Sequence, residues 1–465
     1  MADSDEKIVL AKAVGAVDFS IGMIKKSPFY PVWLGLMLIA FWGVWRWYFL
    51  RLTTSGDEMF GILALIAIIF FSFKEKNESR SFNFLLISTA LILCYAITYT
   101  FVPPLIRAFI AVTGLTFFLS GWRFGKTFHF GIWSLFLLSL PIVASMQFYL
   151  GYPMRVVIGE ATEFILRLNG FQIFREGVCL HFGEKLIWID APCSGVKMLW
   201  TGFFLTSVLV TLYRFNFAKS MVAFAFAFAI ILIGNIFRAV GLFYLEAEIV
   251  KMPEFAHSGI GIISFILTCI GIVFAIQKIG ATTKSVTFEN PKFISNKLTL
   301  LFLVACLCSF FAPLFTQSAK NNFKQSSTEF PQTFENKRLE ELELSEKEKY
   351  FLEDFPGEVK RFSDGRREII VRFVTAATRK LHPSTDCFSA IGYEIKPLPL
   401  KLDEQNNKWA CFSAQKNGEN LKVCERMFTE SGESWTDVSA WYWSALSDVN
   451  ANGYWAITVA ESDSQ

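Results

Sequence analysis

The sequence predicts a polytopic α-helical membrane protein of about nine transmembrane helices, followed by a C-terminal extracytoplasmic α+β domain. Three observations predict it. Hydrophobic residues make up 53% of the 465 positions and charged residues only 18%, below the roughly 25% of a soluble domain. Aromatic residues reach 16%, including 13 Trp, as suits helices ending in rings at the headgroup level. Apolar runs dominate the chain up to residue 315, and polar, strand-like sequence follows.

A helix needs about 20 apolar residues to cross the hydrocarbon core. Nine runs qualify as candidates: roughly 30–50, 59–73, 82–102, 105–121, 129–147, 196–213, 220–240, 258–277 and 298–315. The second and fourth are the weakest, and Pro103-Pro104 could make the third and fourth one broken unit. Residues 1–28 carry early acids and no strong apolar stretch, so they read as a cytoplasmic N-terminal segment and not a cleavable leader.

Lys and Arg in short loops set the orientation. Lys25-Lys26, then Lys74, Lys76 and Arg80, then Arg123 and Lys126, then Arg214 and Lys219, then Lys278, Lys284, Lys292 and Lys297 fall in alternate loops. These loops read as cytoplasmic. Arg46 and Arg51 disagree, in a loop shared with Asp57 and Glu58. The opposite face then receives residues 148–195, the loop 241–257 and the tail.

Residues 148–195 are more than a loop. The first part pairs apolar Val156, Val157, Phe164, Ile165 and Leu168 with Glu160, Glu163 and Arg167, as in an amphipathic interfacial helix. Val178, Leu180 and Phe182 alternate, which predicts a small hairpin. Beyond a polar linker at 317–337, residues 338–465 read as a separate domain. Its first stretch, 338–354, is predicted helical on propensity. Strands are predicted at 367–377 and around 392–400, 408–414, 420–427 and 453–460, with Asn417-Gly418 as a hairpin turn.

Ionisable or nucleophilic residues at a membrane edge are functional candidates. Cys193 stands in IDAPCSGVKMLW at the start of the sixth run. Orphan backbone N–H groups there would lower a thiol pKa. A buried structural cysteine, or a disulfide with Cys179, is the alternative. Arg238 stands in ILIGNIFRAVGLFY, with Asn235 one turn earlier on the same helix face; snorkelling is its alternative. His257 stands at the start of the eighth run, where capping is its alternative, and His181 is a rival base on the same side. Cysteine, arginine and histidine at one depth on one face suit nucleophilic acyl chemistry: a thiol, a base, and a cation for the oxyanion.

These residues resemble the exosortase/archaeosortase family of membrane cysteine transpeptidases. The resemblance rests on Ala191-Pro192-Cys193-Ser194-Gly195, Asn235-Ile236-Phe237-Arg238 and His257-Ser258-Gly259, within roughly residues 30–280. It implies a catalytic membrane domain over 29–316 in a bacterial inner membrane, with a cytoplasmic N-terminus and a periplasmic tail. Cys193 would be the nucleophile, His257 the general base or acid, and Arg238 the stabiliser of substrate or oxyanion, with Asn235, Ser194 and Gly195 in support. The implied partners are exported proteins ending in a short motif, a transmembrane helix and a basic cluster. The acyl acceptor would be a lipid or polysaccharide. The tail motif His382-Pro383-Ser384-Thr385-Asp386-Cys387-Phe388, before Gly392-Tyr393, resembles the soluble domain that accompanies exosortases in exopolysaccharide loci. His382 and Cys387 could form a second catalytic pair, but a structural or substrate-presenting loop is favoured. A Cys411–Cys424 disulfide fits an oxidising compartment.

No CxxC or other metal spacing occurs among Cys179, Cys193, Cys387, Cys411 and Cys424, so no metal and no cofactor is expected. A net charge of +3 without a basic-aromatic stripe gives no reason to expect nucleic acid. A transporter would place its polar residues at the midplane. A glycosyltransferase or polysaccharide polymerase would use outward carboxylates, for which Glu160, Glu163, Asp190, Glu246, Glu248 and Glu254 are candidates. A non-catalytic scaffold is the remaining reading.

Overall fold

A computed structural model describes residues 30–54, 59–74, 83–176, 178–183, 185–189, 195–250, 253, 255–280, 296–315, 329–344, 355–447 and 453–462. The chain divides into two units: residues 1–49, 66–137 and 284–317 in one, and 50–65, 138–283 and 318–465 in the other.

Eleven described helices form the apolar part. They are α1 Tyr30–Ala40, α2 Trp42–Thr54, α3 Gly61–Lys74, α4 Asn83–Thr98, α5 Pro104–Arg123, α6 Phe130–Ser139, α7 Val143–Leu168, α8 Val196–Leu212, α9 Phe217–Glu246, α10 Phe255–Ile279 and α11 Asn296–Phe311. Among the described residues, four stretches are long and apolar enough to cross a bilayer: α5, α9, α10, and α11 with the 3-10 turn that extends it to Phe315. Counting each bent pair as one span gives six at most: α1 with α2, bent by 64°, and α6 with α7, bent by 97°. The protein is therefore multi-pass, but the expectation of nine spans is wrong.

The reason is helix length. α3, α4 and α8 have 14, 16 and 17 residues. At 1.5 Å per residue they reach about 21, 24 and 26 Å, short of a hydrocarbon core of about 30 Å. Hydropathy alone marks such helices as spans, because an apolar helix packed inside a bundle carries the same composition. Pro103 and Pro104 separate α4 from α5, with Pro104 at the first helical position, where its missing N–H is harmless.

In the first unit α4, α5 and α11 pack through hydroxyls and small residues. Ser88 Oγ donates to Gly114 O at 3.2 Å, and Ser309 Oγ to Ile92 O at 2.9 Å. Phe84 fills the space beside Gly121 that a Cβ would need. In the second unit α9 packs against α7, α8 and α10. Ile231 lies over Gly202, and Thr268 Oγ1 over Gly234. Ile158, Val196, Ile231, Ile272 and Ile276 close that core.

Three antiparallel strands follow α7: β1 Phe174–Glu176, β2 Cys179–Phe182 and β3 Lys185–Trp188. The predicted hairpin is thus a meander. The C-terminal part begins with a small ribbon, β4 Thr333–Phe334 and β5 Lys337–Arg338. The main antiparallel sheet comprises β6 Glu340–Leu342, β7 Gly357–Ser363, β8 Arg367–Val374, β9 Glu394–Leu402, β10 Lys408–Lys416, β11 Glu419–Phe428, β12 Ser434–Trp435 and β13 Tyr454–Ser462. Its order is β6-β7-β8-β13-β11-β10-β9, with β12 on β11. Helices α12 Ser384–Ala390 and α13 Val438–Ser447 accompany it.

The last strand lies in the middle, which explains why Tyr454–Val459 are buried on both faces. Asn417 and Gly418 have φ of 50° and 87°, as a tight hairpin turn between β10 and β11 requires. Cys411 and Cys424 face each other across that pair and are bonded. In the described part of the stretch expected to be helical over 338–354, Glu340–Leu342 is instead a strand, because Leu339 and this edge close the sheet core with Phe362 and Ile369. Residues 345–354 lie outside the described residues.

The sheet domain docks on α7 within the second unit. Phe148 and Tyr149 pack against Tyr442, with ring centroids 5.0 and 5.5 Å apart. Trp443 Nε1 donates to Tyr149 O at 2.9 Å. Arg155 is 2% exposed and donates through Nη2 to Asp437 Oδ2 at 2.5 Å. Asp437 also caps α13, accepting from Ala440 N at 2.9 Å. The amphipathic segment read near 148–168 is thus the platform that holds the C-terminal domain.

Candidate functional site

Cys193 and Ser194 lie outside the described residues, as does the stretch 190–192 before them. Gly195 is the first described residue of that motif. It has φ 76° and ψ 5° and caps α8. A Cβ at this position would lie 1.6 Å from Asn235 Nδ2 and 2.6 Å from Asn235 Cγ. Both the left-handed backbone and the close approach require glycine. Asn235 of α9 is therefore pressed onto the backbone two residues after Cys193.

Asn235 is 1% exposed, and neither Nδ2 nor Oδ1 has a hydrogen-bond partner among the described residues. Burying an amide without a partner costs about 1–3 kcal/mol by mutational measures. Gly195→Ala combines that overlap with a left-handed penalty of about 1–2 kcal/mol and overpacking of about 1–3 kcal/mol. It is expected to lower thermal stability in detergent by several degrees. Adding Asn235→Ala should recover much of the loss, because it removes the overlapping amide.

Arg238 lies three residues further along α9. Its guanidinium crosses Gly261 of α10: a Cβ there would stand 3.7 Å from Nε and 3.8 Å from Nη2. His257 sits one turn earlier on α10, and its Nε2 is 3.9 Å from Glu246 Oε1 at the end of α9. The structure thus brings Gly195, Asn235, Arg238 and His257 to adjoining positions on α8, α9 and α10 of one unit. Glu246, which the sequence offers only as an outward carboxylate, lies beside them. It is eleven residues after Asn235, three helical turns, and so on the same face of α9.

His181, the rival base, lies on β2. Its ring is stacked on Phe174, with centroids 4.1 Å apart and planes 13° from parallel. Two of the carboxylates offered for a polymerase are taken up in ion pairs. Glu163 pairs with Arg167 at 2.8 Å and Arg175 at 3.5 Å, and Glu248 with Lys185 at 3.1 Å. Asp190 and Glu254 lie outside the described residues. No group of three metal-ligating side chains occurs among the described residues.

A second constellation lies in the sheet domain. His382 Nε2 is 2.8 Å from Cys387 Sγ, and His382 Nδ1 is 3.0 Å from Lys380 O. Behind them Glu425 accepts from Ser384 N at 2.9 Å and from Ser384 Oγ at 2.6 Å. Ser384 Oγ contacts Thr458 Oγ1 at 2.9 Å, and Arg372 Nη2 donates to Thr458 Oγ1. Cys387 reaches the surface, but desolvation by the surrounding protein pushes its thiol up to about 11, against the positive charge of Arg372. Burial also holds His382 below the usual imidazole range. Burial raises the Glu425 carboxyl, opposed by the Ser384 hydrogen bonds and by Arg372.

Residues 52–274 match the family described as Transmembrane exosortase (Exosortase_EpsH). That region belongs to the transmembrane exosortases, and it contains Cys193, Arg238 and His257. The enzyme is accordingly a membrane cysteine transpeptidase, of a family that acts on C-terminal sorting signals of exported proteins. Comparison with characterised proteins and with solved structures finds no match.

Proposed function

We propose that Cys193 is the nucleophile of this transpeptidase, that His257 moves its proton, and that Arg238 stabilises the oxyanion or the substrate carbonyl. The observation that supports this reading is the packing of Asn235 onto Gly195. It ties Gly195, two positions after Cys193 in the sequence, to the helix that carries Arg238, and α10 brings His257 to the same end. The thiol proton would pass to the imidazole as sulfur attacks the scissile carbonyl, and the leaving amine would take it back. Glu246 would orient the His257 ring.

The substrate we propose is an exported protein ending in a short motif, an apolar helix and a basic cluster. Its acceptor would be a lipid or polysaccharide at the outer face of a bacterial inner membrane. The alternating Lys and Arg of the short loops favour a cytoplasmic N-terminus. The C-terminal sheet domain would be periplasmic, and its His382–Cys387 segment resembles the domain that accompanies exosortases in exopolysaccharide loci. A polymerase reading loses support because Glu163 and Glu248 are taken up in ion pairs.

The test is processing of a co-expressed protein with such a tail. Arg238→Ala should reduce cleavage by about 100-fold or more, as loss of an oxyanion donor does, with the variant still inserted. Arg238→Lys should recover only part of it, because an ammonium lacks the planar fork. Undiminished cleavage in Arg238→Ala would remove that arginine from the chemistry.

A further inference from the structure

We propose that Cys387 and His382 form a second acyl-accepting site, in the C-terminal sheet domain, that takes an activated carboxylic ester or thioester onto the Cys387 sulfur.

The geometry is that of a thiol with its base. A backbone carbonyl only accepts hydrogen bonds, so the 3.0 Å contact with Lys380 O puts the proton on His382 Nδ1. Nε2 is then the unprotonated nitrogen, and it lies 2.8 Å from Cys387 Sγ. A base aimed at a nucleophile and held in one tautomer by a third group is the arrangement nucleophilic catalysis needs. Both residues are fixed by the fold. Leu381, 1% exposed, anchors the segment before His382, and Ser384 is tied to the buried Glu425 at the start of α12. Arg372, on β8, places a positive charge behind the thiol, and its Nε has no partner among the described residues.

Acyl chemistry fits better than dithiol exchange. Cys411 and Cys424 are bonded to each other. Cys424 and Glu425 are consecutive on β11 and so face opposite sides of the sheet. The disulfide therefore lies on the face away from Glu425 and Ser384, so neither of its sulfurs, among the described residues, is placed to resolve Cys387. A resting thiol pushed up to about 11 is also protonated at neutral pH, so it needs a base during attack and is a poor spontaneous exchanger.

In the acylation step the Sγ–H proton moves to His382 Nε2 as sulfur bonds to the carbonyl carbon. The carbon–oxygen or carbon–sulfur bond to the leaving group then breaks, and the leaving group departs as the anion or takes the proton from His382. In the return step His382, neutral again once its proton has gone to the leaving group or to solvent, takes the proton of an acceptor amine, hydroxyl or water; the acceptor heteroatom bonds to the acyl carbon, the carbon–sulfur bond breaks, and the thiolate takes the proton from His382.

The test uses the full-length Cys193→Ala protein in detergent with p-nitrophenyl acetate, so it does not depend on the membrane site. The expected result is one acetyl group on Cys387, located by peptide mass and removed by hydroxylamine, and absent in Cys387→Ser. His382→Gln should slow that acetylation by about 100-fold or more. The pH profile of the unmutated dyad gives an independent answer should His382→Gln disturb folding. The charged groups around the pair are Arg372, Arg379, Lys380, Asp386 and Glu425. With His382 as base the rate should be nearly flat from pH 7.5 to 9, since the imidazole is already neutral. A thiol acting alone would climb about tenfold per pH unit up to its own pKa. No acetyl group on Cys387, an unchanged rate in His382→Gln, or that tenfold climb would overturn the proposal.

Discussion

Cys193→Ala should abolish processing of a co-expressed protein bearing a C-terminal sorting tail, while the enzyme still inserts and keeps its C-terminal domain docked. Removing a covalent nucleophile leaves only binding and electrostatic contributions, so a loss of at least about 1000-fold is expected. Cys193→Ser should be nearly as inactive, because a hydroxyl at this position has a far less acidic proton to give His257. Immunoblotting of precursor and product in the same membranes measures this. Cys387→Ser, tested beside it, separates the chemistry of the sheet domain from that of the membrane site. Persistent cleavage in Cys193→Ala would transfer the nucleophile elsewhere.

The second large effect concerns the joint between α7 and the sheet domain. Arg155 is 2% exposed and its partner Asp437 is 18% exposed. Arg155→Ala leaves a carboxylate in that interface without its cation. Breaking a buried pair in this way costs about 3–5 kcal/mol. The expected outcome is loss of docking: faster proteolysis within the 317–337 linker and a lower unfolding temperature for the sheet domain. Asp437→Ala should cost more than Asp437→Asn, because it also removes the cap on Ala440 N. The double variant Arg155→Met with Asp437→Asn should lose less than the sum of the two single variants, since neither charge is left stranded. Additive losses would mean that the pair contributes only packing.

The parts of this architecture that were legible in the sequence are those with local signatures. Apolar runs announced the membrane region, and Asn417-Gly418 announced the β10–β11 turn, where both residues need positive φ. Strands such as Arg367–Val374 and Tyr454–Ser462 carry dense β-branched and aromatic residues. Span length was not legible. The 14-residue α3 and 17-residue α8 are as apolar as the helices long enough to span, and only their hydrogen-bonded ends reveal them as short. The break at Leu140–Ile142, next to Pro141, turned one candidate span into a bent pair. Glu340–Leu342 was misread because helix propensity is a weak prior beside sheet closure.

The site was legible in its residue types and not in its contacts. Asn235 and Arg238 stand out as polar groups in an apolar helix, and Gly195 as a glycine at a helix entry. Nothing local shows that Asn235 fills the space over Gly195, or that Arg238 crosses Gly261, because both depend on helix packing. Glu246 was noticed only as a spare carboxylate. Its place beside His257 comes from the turn between α9 and α10. In the sheet domain, the five-residue spacing of His382 and Cys387 was visible, but the Lys380 carbonyl that fixes the imidazole tautomer was not.

If Cys193 is the nucleophile proposed above, the membrane site works through a thioester on its sulfur. The most direct measurement is hydroxylamine trapping in membranes that hold the Cys387→Ser enzyme and a tailed substrate. The account predicts a substrate–enzyme adduct that hydroxylamine splits, leaving a hydroxamate at the new end of the exported protein. The same adduct should be absent from the Cys193→Ala, Cys387→Ser double variant. An adduct that survives in the double variant, or cleavage that proceeds with no trappable adduct, would contradict it.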